Sequence, residues 1–190
     1  MKGMKYHDYI WDLGGTLLDN YETSTAAFVE TLALYGIKQD HDSVYQALKV
    51  STDFAIEIFA PNLENFLEKY KENEARELEL PILFDGVSGL LEDISNQDGR
   101  HFLVSHRNNQ VLEILEKTSI AAYFTEVVTS NSGFKRKPDP ESMIYLREKY
   151  QISSGLVIGD RPIDIEAGQA AGLDTHLFTS IVNLRQVLDM

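Results

Sequence analysis

The chain contains no cysteine among its 190 residues, which excludes disulfide bonds and thiolate metal sites. No apolar run approaches the roughly 18 residues that a membrane-spanning helix needs, so we expect no membrane partner. Cations are also scarce: there are 17 lysine and arginine residues against 30 aspartate and glutamate residues, and the net charge is −13. Because an acidic surface repels nucleic-acid phosphates, we expect no nucleic-acid partner. The lack of cysteine fits a reducing compartment, and we expect a cytoplasmic protein.

The rest of the composition is that of a globular protein. Hydrophobic residues make up 43% of the chain and charged residues 25%. The basic segment Met1–Lys5 lacks the apolar stretch of a signal peptide. The length fits one domain, or a domain with a small insert, and we expect a monomer or a homodimer.

Strand and helix patterns alternate along most of the chain, with one long exception. Alternation of this kind is typical of a parallel sheet with right-handed crossovers. Residues 20–80 show only helical patterns. The sequence therefore predicts an α/β core, a Rossmann-like parallel sheet flanked by helices, from residues 1–19 and 81–190, with a helical insert at residues 20–80. The predicted strands are residues 6–13, 101–105, 126–129, 156–159 and 175–178.

Asp12 ends the first apolar run, in the segment Tyr9-Ile10-Trp11-Asp12-Leu13-Gly14-Gly15-Thr16-Leu17. A buried strand that delivers one carboxylate into a glycine-rich turn places the acid at the carboxyl edge of a sheet. Open α/β proteins keep their active sites at that edge. Asp12 is therefore the first candidate site residue.

Ser105 ends a second apolar run and is followed by His106. A hydroxyl at a strand end, together with nearby backbone N–H groups, can point at an oxyanion or a phosphate. The alternative is that Ser105 caps the next helix.

Lys137 lies in the segment Phe134-Lys135-Arg136-Lys137-Pro138-Asp139-Pro140 of an otherwise acidic protein. Proline stiffens the chain directly after Lys137. A lysine held in this way can neutralise a carboxylate and a transferring phosphoryl group. We interpret Lys135 and Arg136 as solvated.

Two carboxylates follow a later strand, in Gly159-Asp160-Arg161-Pro162-Ile163-Asp164. Asp160 ends the strand and Asp164 comes four residues later. Such a pair suits Mg²⁺, a hard ion that prefers oxygen ligands. The structural alternative is an Asx turn at Asp160 and a helix cap at Asp164.

In this order the four segments resemble the motifs of the haloacid dehalogenase superfamily, over residues 6 to about 177. The insert resembles the family's helical cap, and the layout is closest to the branch of phosphoglycolate phosphatase and β-phosphoglucomutase. The resemblance implies a phosphatase acting on a small phosphorylated metabolite through an aspartyl-phosphate. The implied catalytic residues are Asp12, as the nucleophile, with Ser105 and Lys137. The implied substrate-binding residues are Ser105, His106 and Lys137. The implied Mg²⁺ ligands are Asp12, the carbonyl of Gly14, Asp160 and Asp164.

Gly14 is the departure from the family pattern, because the family's phosphatases have a second aspartate there as general acid/base. General acid–base catalysis contributes roughly 10²- to 10⁴-fold. His106 is a candidate surrogate, with a suitable unperturbed pKa. The alternative for His106 is a plain residue at the start of a helix.

Three functions remain open at this point. The first is a Mg²⁺ phosphatase that is slow or selective for good leaving groups. The second is a non-catalytic protein that binds a phosphorylated metabolite. The third is a phosphonatase-like hydrolase of C–P bonds, since phosphonatases of the superfamily have a small residue at this position and use a cap lysine. The insert offers Lys38, Lys49, Lys69 and Lys71. Its aromatic residues Phe54, Phe59, Phe66 and Tyr70 are interpreted as its core.

Overall fold

The computed structural model describes residues 5–190; residues 1–4, which the sequence analysis assigned to a basic N-terminal segment of the core, lie outside the described residues. Five parallel strands form one sheet with the order β3-β2-β1-β4-β5. The parallel sheet and its flanking helices confirm the predicted α/β class. The strands are β1 (Asp8–Trp11), β2 (Arg100–Val104), β3 (Phe124–Val128), β4 (Gly155–Gly159) and β5 (Asp174–Leu177).

Helices account for most of the remaining described chain. Those of residues 20–80 are α1 (Asn20–Leu34), α2 (His41–Val50), α3 (Thr52–Phe59) and α4 (Phe66–Glu77). Those between and after the strands are α5 (Val87–Ser95), α6 (Gln110–Lys117), α7 (Glu141–Lys149), α8 (Pro162–Ala170) and α9 (Ile181–Val187). Among the described residues, no helix has the length and apolar character needed to cross a membrane.

The chain divides by its internal contacts into two compact units. One contains the residues up to Leu18 together with Leu83–Met190, and therefore the whole sheet. The other is Asp19–Ile82 and contains α1 to α4. The boundaries predicted from the sequence fall after residues 19 and 80.

Strand β1 is buried on both faces, which explains its unbroken apolar sequence. Side chains alternate along a strand, so Tyr9 and Trp11 point to one face and Ile10 to the other. Tyr9 and Trp11 pack with residues of α5 and α9, whereas Ile10 packs with Phe102 and Val157. This double burial fixes the central strand, and with it the position of the residue that follows.

The helical insert has an aromatic core, but one of the aromatic residues predicted to lie in it does not. Phe28 packs edge-on against Phe66 and Tyr70, with ring centroids 4.9 Å and 5.1 Å apart. Phe54 was predicted to lie in this core, and that prediction is wrong, because its side chain is 39% exposed. In α3 it is the next residue, Ala55, that is buried. One position along a helix is a rotation of about 100°, enough to turn Phe54 outward.

His101 makes the sheet unit sensitive to acid. Its Nδ1 accepts a hydrogen bond from Trp11 Nε1 at 3.0 Å, and Nε2 donates to the Leu91 carbonyl at 3.1 Å. Because an indole N–H can only donate, Nδ1 must stay unprotonated, and the ring therefore neutral, for the bond to Trp11 to form. Burial lowers the pKa of His101 to about 4 from its usual 6.5.

We expect the wild-type protein to lose stability as the pH falls below 6.5. In that range His101 becomes protonated in the unfolded chain but stays neutral in the folded protein. By pH 4.5 this one group should remove about 2 to 3 kcal/mol from the free energy of unfolding. Urea unfolding at pH 7.5 and 4.5 measures the loss. His101→Asn keeps an acceptor for Trp11 and should reduce the pH dependence by that amount. His41→Asn, at an exposed histidine paired with Glu22, should leave the loss in place. Equal pH dependence in wild type and His101→Asn would contradict the expectation.

Candidate active site

Asp12 lies one residue beyond β1, at the carboxyl edge of the sheet. The strand order reverses between β1 and β4, since β2 and β3 lie on one side of β1 and β4 and β5 on the other. Open α/β sheets bind ligands in the crevice at such a switch point. The Asp12 residue is only 6% exposed, and its backbone N–H donates to the Ile158 carbonyl at 2.9 Å. The carboxylate therefore stands at the switch point.

Lys137 brings an ammonium group to Asp12 from a distant loop. Its Nζ lies 2.6 Å from Asp12 Oδ1 and 2.5 Å from Asp164 Oδ1, and it donates to the Val104 carbonyl at 3.1 Å. The Lys137 side chain is 1% exposed, so its charge is withdrawn from water and must be balanced by these carboxylates. The two preceding cations, Lys135 and Arg136, are exposed, as the sequence predicts.

The turn after β1 is shaped to receive Asp160. Gly15 has a φ of +82°, and a Cβ there would overlap the Asp160 carboxylate. Only glycine permits both the turn and this close approach. Thr16 Oγ1 donates to Asp160 Oδ1 at 3.2 Å. Thr16 was not predicted from the sequence, although a hydroxyl beside a glycine turn was the available signal.

Asp164 is fully buried in the first turn of α8. A Cβ on Gly159 would overlap its side chain, so a glycine at the end of β4 is needed for Asp164 to fold back toward the sheet. Asp164 Oδ2 accepts a hydrogen bond from the Arg161 N–H at 3.1 Å, which is a helix-capping contact. Asp164 is therefore both a helix cap, as the structural alternative predicted, and a partner of Lys137.

Three carboxylates converge at this edge. Asp12, Asp160 and Asp164 each have an oxygen within 4.8 Å of the others. Among the described residues, one buried ammonium, that of Lys137, is paired with them, so the cluster carries excess negative charge. Burial raises the pKa of Asp12 against the opposing charge of Lys137, and burial with the Asp12 charge raises the pKa of Asp160 to about 6. A divalent cation with a preference for oxygen would offset this excess, and the donor set fits Mg²⁺.

Ser105 follows β2 directly, and its N–H donates to the Val128 carbonyl at 2.9 Å. Its Oγ accepts a hydrogen bond from the Arg107 N–H at 3.2 Å. It does not cap the next helix, because α6 begins only at Gln110 and has Asn109 at its N-cap. The alternative interpretation of Ser105 as a helix cap is therefore wrong. Its hydroxyl proton remains available for an acceptor such as a phosphoryl oxygen.

His106 makes a contact that the sequence did not indicate. Its Nε2 lies 2.9 Å from the backbone nitrogen of Lys137, and because an amide N–H can only donate, Nε2 must accept. Burial, together with the nearby positive charge of Lys137, lowers the pKa of His106 to about 4. Both observations count against His106 as a proton donor at neutral pH. His106 also lines a cleft together with Ser105 and Lys137.

Gly14 sits in the turn between Asp12 and Gly15, where the family pattern has an acid. Unlike Gly15, it is not among the described residues with a left-handed φ, so its backbone conformation is open to a residue with a side chain. The carbonyl that the resemblance assigns to the metal is retained whatever the side chain.

The insert lysines give no support to a Schiff-base mechanism. All four are exposed, so none lies in the desolvated pocket that activates such a lysine. Lys71 is paired with Glu74 at 2.8 Å, and Lys69 lies over the Tyr35 ring at 4.6 Å.

Comparison with known proteins gives a consistent result. A family model described as haloacid dehalogenase-like hydrolase matches residues 9–178. A crystal structure of a hydrolase from Streptococcus pneumoniae TIGR4 is 94% identical, with a TM-score of 0.96, and the match covers 98% of this chain and 100% of that one. Phosphoglycolate phosphatase of Vibrio parahaemolyticus is 28% identical over 182 residues, covering 85% of this chain and 78% of the relative. Pyrophosphatase PpaX of Oceanobacillus iheyensis is 24% identical over 180 residues, covering 90% and 83%.

Proposed function

Because this chain belongs to the haloacid dehalogenase-like hydrolase family, we propose that it is a Mg²⁺-dependent phosphatase. Its substrate is a small phosphorylated metabolite, and its nucleophile is Asp12. The observation that carries the proposal is the Asp12 carboxylate held 2.6 Å from the Lys137 ammonium at the edge where Asp160 and Asp164 converge. Relatives named as a phosphoglycolate phosphatase and a pyrophosphatase support a phosphoryl substrate.

The first step is attack by an Asp12 oxygen on phosphorus. The bond from phosphorus to the ester oxygen breaks, the leaving group departs with the electron pair, and an aspartyl-phosphate remains. Lys137 reduces the repulsion between the carboxylate and the phosphoryl oxygens, and the Ser105 hydroxyl donates to one of those oxygens. A water molecule then attacks the same phosphorus, which releases phosphate and restores Asp12.

Asp12, the Gly14 carbonyl, Asp160 and Asp164 would hold the Mg²⁺ ion. The bound ion supplies positive charge that offsets the repulsion between carboxylate and phosphate. Gly15 leaves room for Asp160, and Thr16 donates a hydrogen bond to it. Asp164 Oδ1 is paired with the Lys137 ammonium.

Gly14 determines which substrates are turned over. An alkoxide leaving group needs a proton, and Gly14 has none to give. An acyl phosphate releases a carboxylate, which leaves without protonation. We therefore expect acyl phosphates to be better substrates than alkyl phosphates, by a wider margin than a positioned acid would leave.

Removal of Mg²⁺ should abolish phosphate release from an acyl phosphate, and Asp160→Asn should raise the Mg²⁺ concentration needed for half-maximal rate about tenfold or more. The reason is that Asp160 supplies one of the three carboxylates that cluster here in the described part of the chain. Phosphate release during a Mg²⁺ titration measures the effect. Asp85→Asn, an exposed aspartate of the same unit, is the matched control and should titrate as wild type does.

Full turnover in the presence of a chelator would contradict the metal assignment. Tight binding of a phosphorylated compound with no turnover under any condition would instead support the non-catalytic alternative.

A further inference from the structure

His106 is bound to the residue that places positive charge at Asp12. Lys137 is held at both ends by residues at the end of β2: its Nζ donates to the Val104 carbonyl, and its backbone N–H donates to His106 Nε2. Lys137 as a whole is 5% exposed, so its N–H needs a partner within the protein. The next residue, Pro138, has no backbone N–H and cannot donate a hydrogen bond.

We propose that His106 is a positioning residue, whose Nε2 fixes the Lys137 backbone and thereby the ammonium at Asp12. The inference rests on the proposed phosphatase function for its catalytic consequence, but not for the contact itself. A lysine side chain is a flexible stem of four carbons. If its backbone were not held in place, the ammonium would occupy several positions. Two anchors, one at each end, remove that freedom.

The same hydrogen bond defines the tautomer of His106. Since Nε2 accepts from an amide, the single proton of the neutral ring is on Nδ1. A ring that already carries a proton on Nδ1 and accepts on Nε2 cannot take a proton from water without losing its bond to Lys137. His106 is therefore excluded as the surrogate general base for the missing aspartate.

Two variants separate the contact from the bulk of the side chain. A glutamine oxygen can reach the place of Nε2, whereas an asparagine oxygen reaches only the place of Nδ1. We expect His106→Asn to lower kcat about tenfold to a hundredfold with a smaller change in KM, because the misplaced ammonium matters most in the transition state. His106→Gln should recover most of the loss. The assay uses an acyl phosphate with the wild-type background or, if wild type is silent, an alkyl phosphate in a Gly14→Asp background.

Nuclear magnetic resonance tests the contact without any turnover, so a failure of the phosphatase proposal is distinguishable from a failure of this one. In wild type at pH 7 we expect His106 to show a protonated Nδ1 and an unprotonated Nε2, and the Lys137 amide to exchange slowly with solvent. The amide should exchange faster in His106→Asn and stay protected in His106→Gln. A protonated Nε2, or equal protection in all three proteins, would overturn the proposal, as would equal kcat values for the two variants.

Discussion

Asp12→Asn is expected to abolish phosphate release, with a loss of about 10⁴-fold or more in kcat. An amide is not a nucleophile toward phosphorus, so the covalent step has no substitute within the described site. The change is nearly isosteric and removes one of three clustered carboxylates, which relieves repulsion with Asp160 and Asp164. The variant should therefore remain folded. Phosphate release and a thermal melt of the same preparation measure the two properties.

Asp8→Asn is the matched control for this loss. Asp8 is also a buried aspartate of the β1 segment, 3% exposed, but it lies at the other end of the strand and pairs with Arg100 at 2.6 Å. Its replacement should lower stability and leave turnover close to wild type. An Asp12→Asn protein that keeps more than a few per cent of wild-type activity would contradict the assignment of Asp12 as nucleophile.

Gly14→Asp is expected to raise turnover of alkyl phosphates by about 10²- to 10⁴-fold, the usual contribution of a positioned general acid. Gly14 follows Asp12 by two residues, and its φ does not require glycine. The gain should be small for acyl phosphates, because their leaving group needs no proton. Rates on one substrate of each kind measure the difference.

Gly14→Asn is the control for this gain, since it adds the same volume without an ionisable group. The gain should also vanish when Asp12→Asn is combined with Gly14→Asp. A folded Gly14→Asp protein that gains nothing on alkyl phosphates would contradict the expectation that the missing acid at position 14 limits their turnover.

The sequence predicted those parts of the site that depend on local pattern. Asp12, Ser105 and Asp160 each directly follow an apolar run. The strands before them are parallel, and parallel strands have their carboxyl ends at one edge of the sheet. Their meeting could be foreseen without knowing any side-chain direction. Lys137 was foreseen by its chemistry in an acidic chain and by the proline beside it.

Other parts of the site depend on contacts across the fold and could not be predicted. The bond between His106 and the Lys137 backbone joins two loops that are 31 residues apart. The fit of Asp160 over Gly15 depends on the register between β1 and β4, which no single segment encodes. Phe54 shows the same limit in the insert, where a helical pattern did not reveal which of two adjacent residues faces inward.

The most direct test of the proposed mechanism is whether a phosphoryl group becomes attached to Asp12. Wild-type protein with Mg²⁺ should be mixed with an acyl phosphate, quenched in acid within the first turnover, and digested for mass spectrometry. We expect a phosphorylated peptide that contains Asp12 from wild type, and none from Asp12→Asn. Steady release of phosphate from a protein whose Asp12 peptide is never modified would contradict it.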